Sequence, residues 1–231
     1  MRILVLDSAQ LAAWREHARE SILEINDGIA SAAGVAEGFA SAGATVHTLL
    51  LAGVTLIVAG ALAAAGARYS EARTEWEMNR SLIDEERASV LADPEGEMEE
   101  LVGIYEAKGL EPQLARQVAE ALSRHDPVAA HVDAELGLED LGTSSGAVLA
   151  AAIAGVSYGL GATVPLLLVY FLPLRDRVAS TLVVVLLALV LTGSVASWLT
   201  GLPTFRLVRR NVTLGAATMA AAILVGHAVH L

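Results

Sequence analysis

Apolar and polar runs alternate along this 231-residue chain on the scale of whole helices. Five apolar runs, near residues 25–45, 48–67, 146–171, 178–200 and 212–230, each approach the ~20 residues that a helix needs to cross a bilayer. The first is the least apolar, because it holds Asp27 and Glu37. Ahead of it, residues 8–24 follow a helical period. Leu11, Trp14, Ala18 and Ile22 share one face, and Arg15, Glu16, Arg19 and Glu20 lie elsewhere. That pattern suits an amphipathic helix lying on a membrane surface, or one packed over a soluble face.

The polar stretch between the second and third runs reads as helices with local punctuation. No Gly or Pro interrupts residues 67–92, so the second span is predicted to continue out of the membrane as one helix for roughly 37 Å. Asp93-Pro94 stops it and starts the next helix, with Asp as N-cap and Pro in the first turn. Gly109 ends that helix and Pro112 starts a third. Asp126-Pro127 repeats the cap signal, and Gly137 closes a short fourth helix. Neither an internal repeat nor a low-complexity tail is visible. The start MRILVLDS has too short an apolar run before Asp7 to suggest a cleavable leader.

Composition sharpens this division. The chain is 55% hydrophobic yet only 4% aromatic, which is unusual for a soluble core. Residues 69–140 hold 19 acidic and 6 basic side chains, while the whole chain carries a net −11, so the acidity belongs to that one segment. The pattern is that of an all-α membrane protein of five transmembrane helices with an inserted acidic, water-exposed helical domain. Its predicted parts are an amphipathic helix over 1–24, spans one and two over 25–67, the insert over 68–142, and spans three to five over 143–231. A pI near 4.9 argues against nucleic acid as partner and for cations. Arg2, Arg15, Arg19, Arg68, Arg73, Arg206, Arg209 and Arg210 fall on one side of a five-span arrangement, against Arg175 and Arg177 on the other. The positive-inside rule then puts the amino terminus and the insert in the cytoplasm and the carboxyl terminus outside, in the cell membrane if the chain is bacterial.

Several residues carry candidate chemistry. A carboxylate at membrane depth costs roughly 2.5–3.5 kcal/mol on insertion scales, so Asp27 needs an offset such as a cation, a proton pathway or a buried partner. Asp27, Ser31, Gly34, Gly38, Ser41 and Thr45 fall within about 40° of one line on a helix. Such a stripe lines a cation path or a helix–helix seam. Asn26-Asp27-Gly28 is also a cap and turn signature, which leaves an interfacial cap as the alternative. Glu37 lies about 80° off the stripe, as a second pathway carboxylate or the partner of an arginine such as Arg68. In the insert, Glu97 and Glu100 share a helix face, and Glu86 can fold back on them across the Asp93-Pro94 turn. Oxygen ligands of this kind suit Mn, Fe(II), Mg and Ca, although acidic runs such as Glu95 to Glu100 are commonly solvated faces. His131 and Glu135 stand four apart, a spacing that permits a shared metal. His125-Asp126 resembles a metal dyad, but Asp126 is better explained as a cap. His227 and His230 look interfacial. The chain has no cysteine, which excludes thiolate sites. No nucleophile elbow, phosphate loop or Ser-His-Asp arrangement appears, so no enzyme and no organic cofactor is expected.

Four segments in order carry a family resemblance. NDGIASAAGVAEGFASAGA resembles the first span of the vacuolar iron transporter family, and AGALAAAGARYSEARTE its second span and exit. The segment from DPEGEMEELVGIYEAKG to HVDAELGLE resembles the metal-binding insert of bacterial members, and SYGLGATVPLL the third span. The resemblance implies a five-span homodimer in lipid with its path at the two-fold interface. It implies transport of Fe(II), and in some members Mn(II), out of the cytosol in exchange for protons. Asp27 matches the transport aspartate, and Glu86, Glu97, Glu100 and Glu135 match insert glutamates, with His131 beside the last. The chain departs from the pattern at Ala64, where a pathway methionine is usual, at Arg68 and Ser89, where glutamate is usual, and at Glu37, where a small or apolar residue is usual. A non-transporting metal-binding membrane protein, a sensor or buffer, is the alternative that these departures raise.

Overall fold

The computed structural model describes residues 8–137, 144–171 and 177–229. All of the regular structure in them is helical. The elements are α1 (Ser8–Ser41), α2 (Val46–Ala92), α3 (Pro94–Ala107), α4 (Pro112–Ser123), α5 (Pro127–His131), α6 (Ser144–Phe171), α7 (Arg177–Thr200) and α8 (Thr204–Val229). A single π turn, Val132–Leu136, continues α5. Arg2, Arg175, His230 and the predicted end of the insert at 142 lie outside the described residues.

The chain forms two compact units. One comprises Met1–Tyr69 with Leu149–Leu231, and the other comprises Ser70–Val148. The first boundary falls inside α2, which runs without a break for 47 residues, as the absence of Gly and Pro after Gly66 predicts.

In the apolar unit α1 is the central helix. Ile29 and Ala33 pack on Val185 and Leu189 of α7 and Met219 of α8. Ala32 packs on Tyr158 and Ala162 of α6, with Leu56, Ile57, Ala61 and Ala64 of α2 against them. One turn on, Ala36 meets Leu49 and Val169. Small residues permit this crowding. A Cβ on Gly28 would strike the Tyr158 carbonyl, and one on Gly161 the Ile25 carbonyl, so both positions require glycine. Outward, Leu51, Val54, Val58 and Leu62 of α2 are exposed. Only 11% of the apolar stretch of α2 is buried, which is a surface for lipid or another protein and not for water.

Four helices among the described residues are long and apolar enough to cross a membrane: Val46–Ala92, Gly146–Phe171, Ser180–Thr200 and Thr204–Val229. They make this an integral membrane protein. The predicted first span, 25–45, is not among them. It and the predicted amphipathic segment 8–24 form one helix that ends at Ser41, and Asn26, Asp27 and Glu37 lower its hydropathy.

The acidic unit follows its punctuation. Asp93 accepts a hydrogen bond from Gly96 N at 3.0 Å, and Asp126 accepts one from Ala129 N at 3.0 Å, each ahead of a proline in the first turn. Gly109 and Gly137 turn the chain at φ of 99° and 65°, where a side chain would be strained. Leu101, Val102, Ala115, Ala119, Ala130 and Ala134 form the core of this unit. Lys108 Nζ donates to the Ala134 carbonyl at 2.8 Å and ties the end of α3 to the π turn.

Candidate functional site

Two Asp-Pro caps and the turn at Gly109 bring three distant residues of the acidic unit to one point. Glu86 comes from the far end of α2, Glu97 from the first turn of α3 and His131 from the end of α5. One ligand atom from each lies within 4.8 Å of the others. His131 Nδ1 stands 3.2 Å from Glu86 Oε1 and 3.7 Å from Glu97 Oε2. His131 is only 2% exposed, and neither its Nδ1 nor Glu86 Oε1 has an aligned hydrogen-bond partner. A buried, unsatisfied ring nitrogen facing two carboxylates is costly unless a proton or a cation lies between them. Burial holds the Glu86 carboxyl above the ordinary carboxylate range. His131 opposes that rise, and Glu135, Glu97 and Glu100 add to it. A divalent ion at this point would satisfy all three groups, and one nitrogen with carboxylate oxygens is a donor set for transition metals.

The other predicted insert residues sit around this point. Glu100 and Glu135 are exposed, yet close enough for their charge to act on Glu86. Glu99 faces away, with Arg116 Nη2 donating to it at 2.6 Å, and that hydrogen bond holds its carboxyl low. Asp126 acts as the cap of α5, and His125 is exposed.

On α1 the predicted pathway residues separate. Asp27 lies mid-helix, which removes the reading of Asn26-Asp27-Gly28 as a cap or turn. It is exposed, whereas Glu37 is 2% exposed, and Glu37 Oε2 has no hydrogen-bond partner. Gly34 and Gly38 lie against Thr218 and Ala222 of α8, so this part of the small-residue stripe is at a contact between α1 and α8. Ser31 and Gly34 border an apolar groove between α1 and α8, of about 500 Å³, with Phe39, Thr218 and Val225. Arg68 forms an ion pair with Glu20, two turns before Asp27 on α1. It therefore reaches α1 at Glu20, a carboxylate that the sequence did not single out as its partner. Sequence reasoning also missed Asn26, which is buried and accepts a hydrogen bond from Thr192 Oγ1 of α7.

The chain is similar to known proteins over most of its length. Residues 18–227 match the VIT family. The vacuolar iron transporter of Acanthamoeba castellanii is 32% identical over 216 residues, covering 90% of this chain and 76% of that protein. Vacuolar iron transporter 1 of Arabidopsis thaliana is 30% identical over 211 residues, covering 90% and 84%. Vacuolar iron transporter 1 of Eucalyptus grandis is 29% identical over 218 residues, covering 93% and 87%. The match begins within α1 and runs through both units, past Glu86, Glu97 and His131, and the chain belongs to the VIT family.

Proposed function

We propose that this protein transports a divalent transition metal, with Fe(II) as the main cargo and Mn(II) as a second, out of the cytosol in exchange for protons. The observation that carries the reading is the convergence of Glu86, Glu97 and the buried His131 in a chain of the VIT family. The acidic unit, on the cytoplasmic side, captures the ion, with Glu100 and Glu135 as outer carboxylates that raise its local concentration. α1 is the fifth span, and its ionisable residues lower its hydropathy because they serve the path. Two copies associate as a homodimer, which covers the exposed face of α1. Asp27 lies on that face and is the transport carboxylate, with Ser31 and Gly34 further along the same helix. The carboxyl terminus lies outside. No enzymatic step and no organic cofactor enters the cycle.

Arg68 favours a second reading. Its ion pair with Glu20 puts a cation where the family resemblance leads one to expect a carboxylate, and Ala64 offers no thioether. Both changes suit a metal sensor or buffer that binds without transport. Uptake of Fe(II) and Mn(II) into proteoliposomes, with and without a pH gradient, separates the two. The transporter reading expects metal uptake that a gradient accelerates. Metal bound stoichiometrically by the protein, with uptake no faster than in protein-free vesicles, would establish the sensor.

A further inference from the structure

The start of α8 carries three arginines that the proposed path does not use. Arg206, Arg209 and Arg210 are exposed on its first two turns and fall within about 100° of arc. Arg209 lies over the Phe205 ring, 5.7 Å from the centroid. Among the described residues none of the three guanidinium groups forms an ion pair or a side-chain hydrogen bond. Their own hairpin cannot supply a counter-charge, because no Asp or Glu follows Asp176 in the chain. In the apolar unit the described acidic side chains are all on α1. Glu20 pairs with Arg68, Glu37 is buried, and neither Glu24 nor Asp27 pairs with these arginines. The side chains of Asp7, Glu16 and Asp176 lie outside the described residues.

Apolar side chains surround this charge and point outward. Trp198 is 76% exposed, Phe205 75% and Leu202 47%. They are held by a closed turn. Buried Ser197 donates to the Leu202 carbonyl at 2.7 Å, and its hydroxyl lies 2.7 Å from that of Thr204. Depth follows from the rest of α8. Residues 211–229 contain no Asp, Glu, Lys or Arg and extend roughly 28 Å, close to the thickness of a hydrocarbon core. The arginines at one end of that stretch therefore stand at headgroup level, where an exposed Trp also belongs.

We propose that the α7–α8 turn is a binding surface for anionic phospholipid headgroups of the surrounding bilayer. Arg206, Arg209 and Arg210 donate to the lipid phosphate, whose oxygens match the guanidinium fork, while Trp198 and Phe205 pack on the glycerol and the upper acyl chains. Zwitterionic lipid offers the same phosphate but adds an ammonium that the arginines repel, and this makes the surface selective. An acidic protein segment would meet the arginines but has no use for the apolar side chains beside them. Lipid binding here does not depend on the transport reading.

The test is native mass spectrometry of the full-length protein released from nanodiscs of mixed phosphatidylcholine and phosphatidylglycerol, with the retained lipids identified. Wild type should retain phosphatidylglycerol preferentially. Each arginine near an anionic surface is worth about fivefold in affinity, so Arg206→Gln/Arg209→Gln/Arg210→Gln should lower that enrichment at least tenfold. The corresponding triple Lys variant should keep part of it. Arg80→Gln/Arg87→Gln/Arg116→Gln, the same change of charge on the acidic unit, should keep all of it. Unchanged enrichment in the first triple variant, or an equal loss in the last, overturns the surface. If the first variant does not insert, the three single Gln variants carry the test, each with a smaller loss. A wild-type Tm in phosphatidylcholine that rose as much with inorganic phosphate as with phosphatidylglycerol would show a free-anion site and overturn the lipid.

Discussion

The acidic unit and helix α1 handle carboxylates in opposite ways. Glu86, Glu97 and His131 are far apart in sequence, yet caps and turns fold three helices so that they meet at one point. Asp27 and Glu37 are ten residues apart on one rigid helix, which holds them about 80° apart in azimuth. One is exposed and the other is buried. Convergence suits capture of an ion from water, because several ligands can replace its hydration shell together. Separation leaves Asp27 alone on its face, so that no cluster of carboxylates there holds the ion too tightly to release it.

Variants can break this division of labour. The largest effect is expected at Asp27: Asp27→Asn should reduce metal flux in proteoliposomes to the protein-free leak, with folding and metal binding by the acidic unit intact. His131→Ala comes next. Loss of a ligating ring should cost at least the 10–100-fold that outer partners of a ligand are worth, so Fe(II) affinity by titration calorimetry should fall by about 100-fold. Affinity for Mg(II), which favours oxygen ligands, should change little, so the preference for transition metals should narrow. Packing of α1 is tested by Gly28→Val. The added side chain meets the α6 backbone, and overpacking of this kind costs roughly 1–3 kcal/mol, read as a lower Tm of the full-length protein in detergent. The smallest effect is expected from Asp93→Ala. It removes the cap between α2 and α3 at about 1 kcal/mol, and should weaken Fe(II) binding modestly because Glu86 and Glu97 lie on either side of that turn.

The two regions also differ in how legible they are in the sequence. The helices of the acidic unit could be read almost residue by residue, because Asp-Pro caps and left-handed glycines are local signals that tertiary structure did not override. The partners within its site were less legible. Helical spacing puts Glu97 and Glu100 on one face of α3, but it does not say where α5 lands, and it is α5 that brings His131 to Glu97 and leaves Glu100 exposed. In α1 the local signal misled. Asn26-Asp27-Gly28 reads as a turn, yet Gly28 is needed for contact with α6, and Asn26 bonds to α7. The glycine stripe left a path and a seam open, and the spacing did not say that Gly34 and Gly38 lie against Thr218 and Ala222 of α8.

The claim that capture and passage are separate is tested most directly by the Fe(II) concentration dependence of proteoliposome flux. Wild type, Asp27→Asn and the triple variant Glu86→Gln/Glu97→Gln/His131→Ala would be compared side by side. The account predicts that the triple variant needs more Fe(II) for half-maximal flux but reaches the wild-type maximum. It predicts that Asp27→Asn has no measurable maximum at any concentration while still binding metal. Near-normal flux through Asp27→Asn, or a triple variant that lost its maximum and kept its half-saturation, would contradict it.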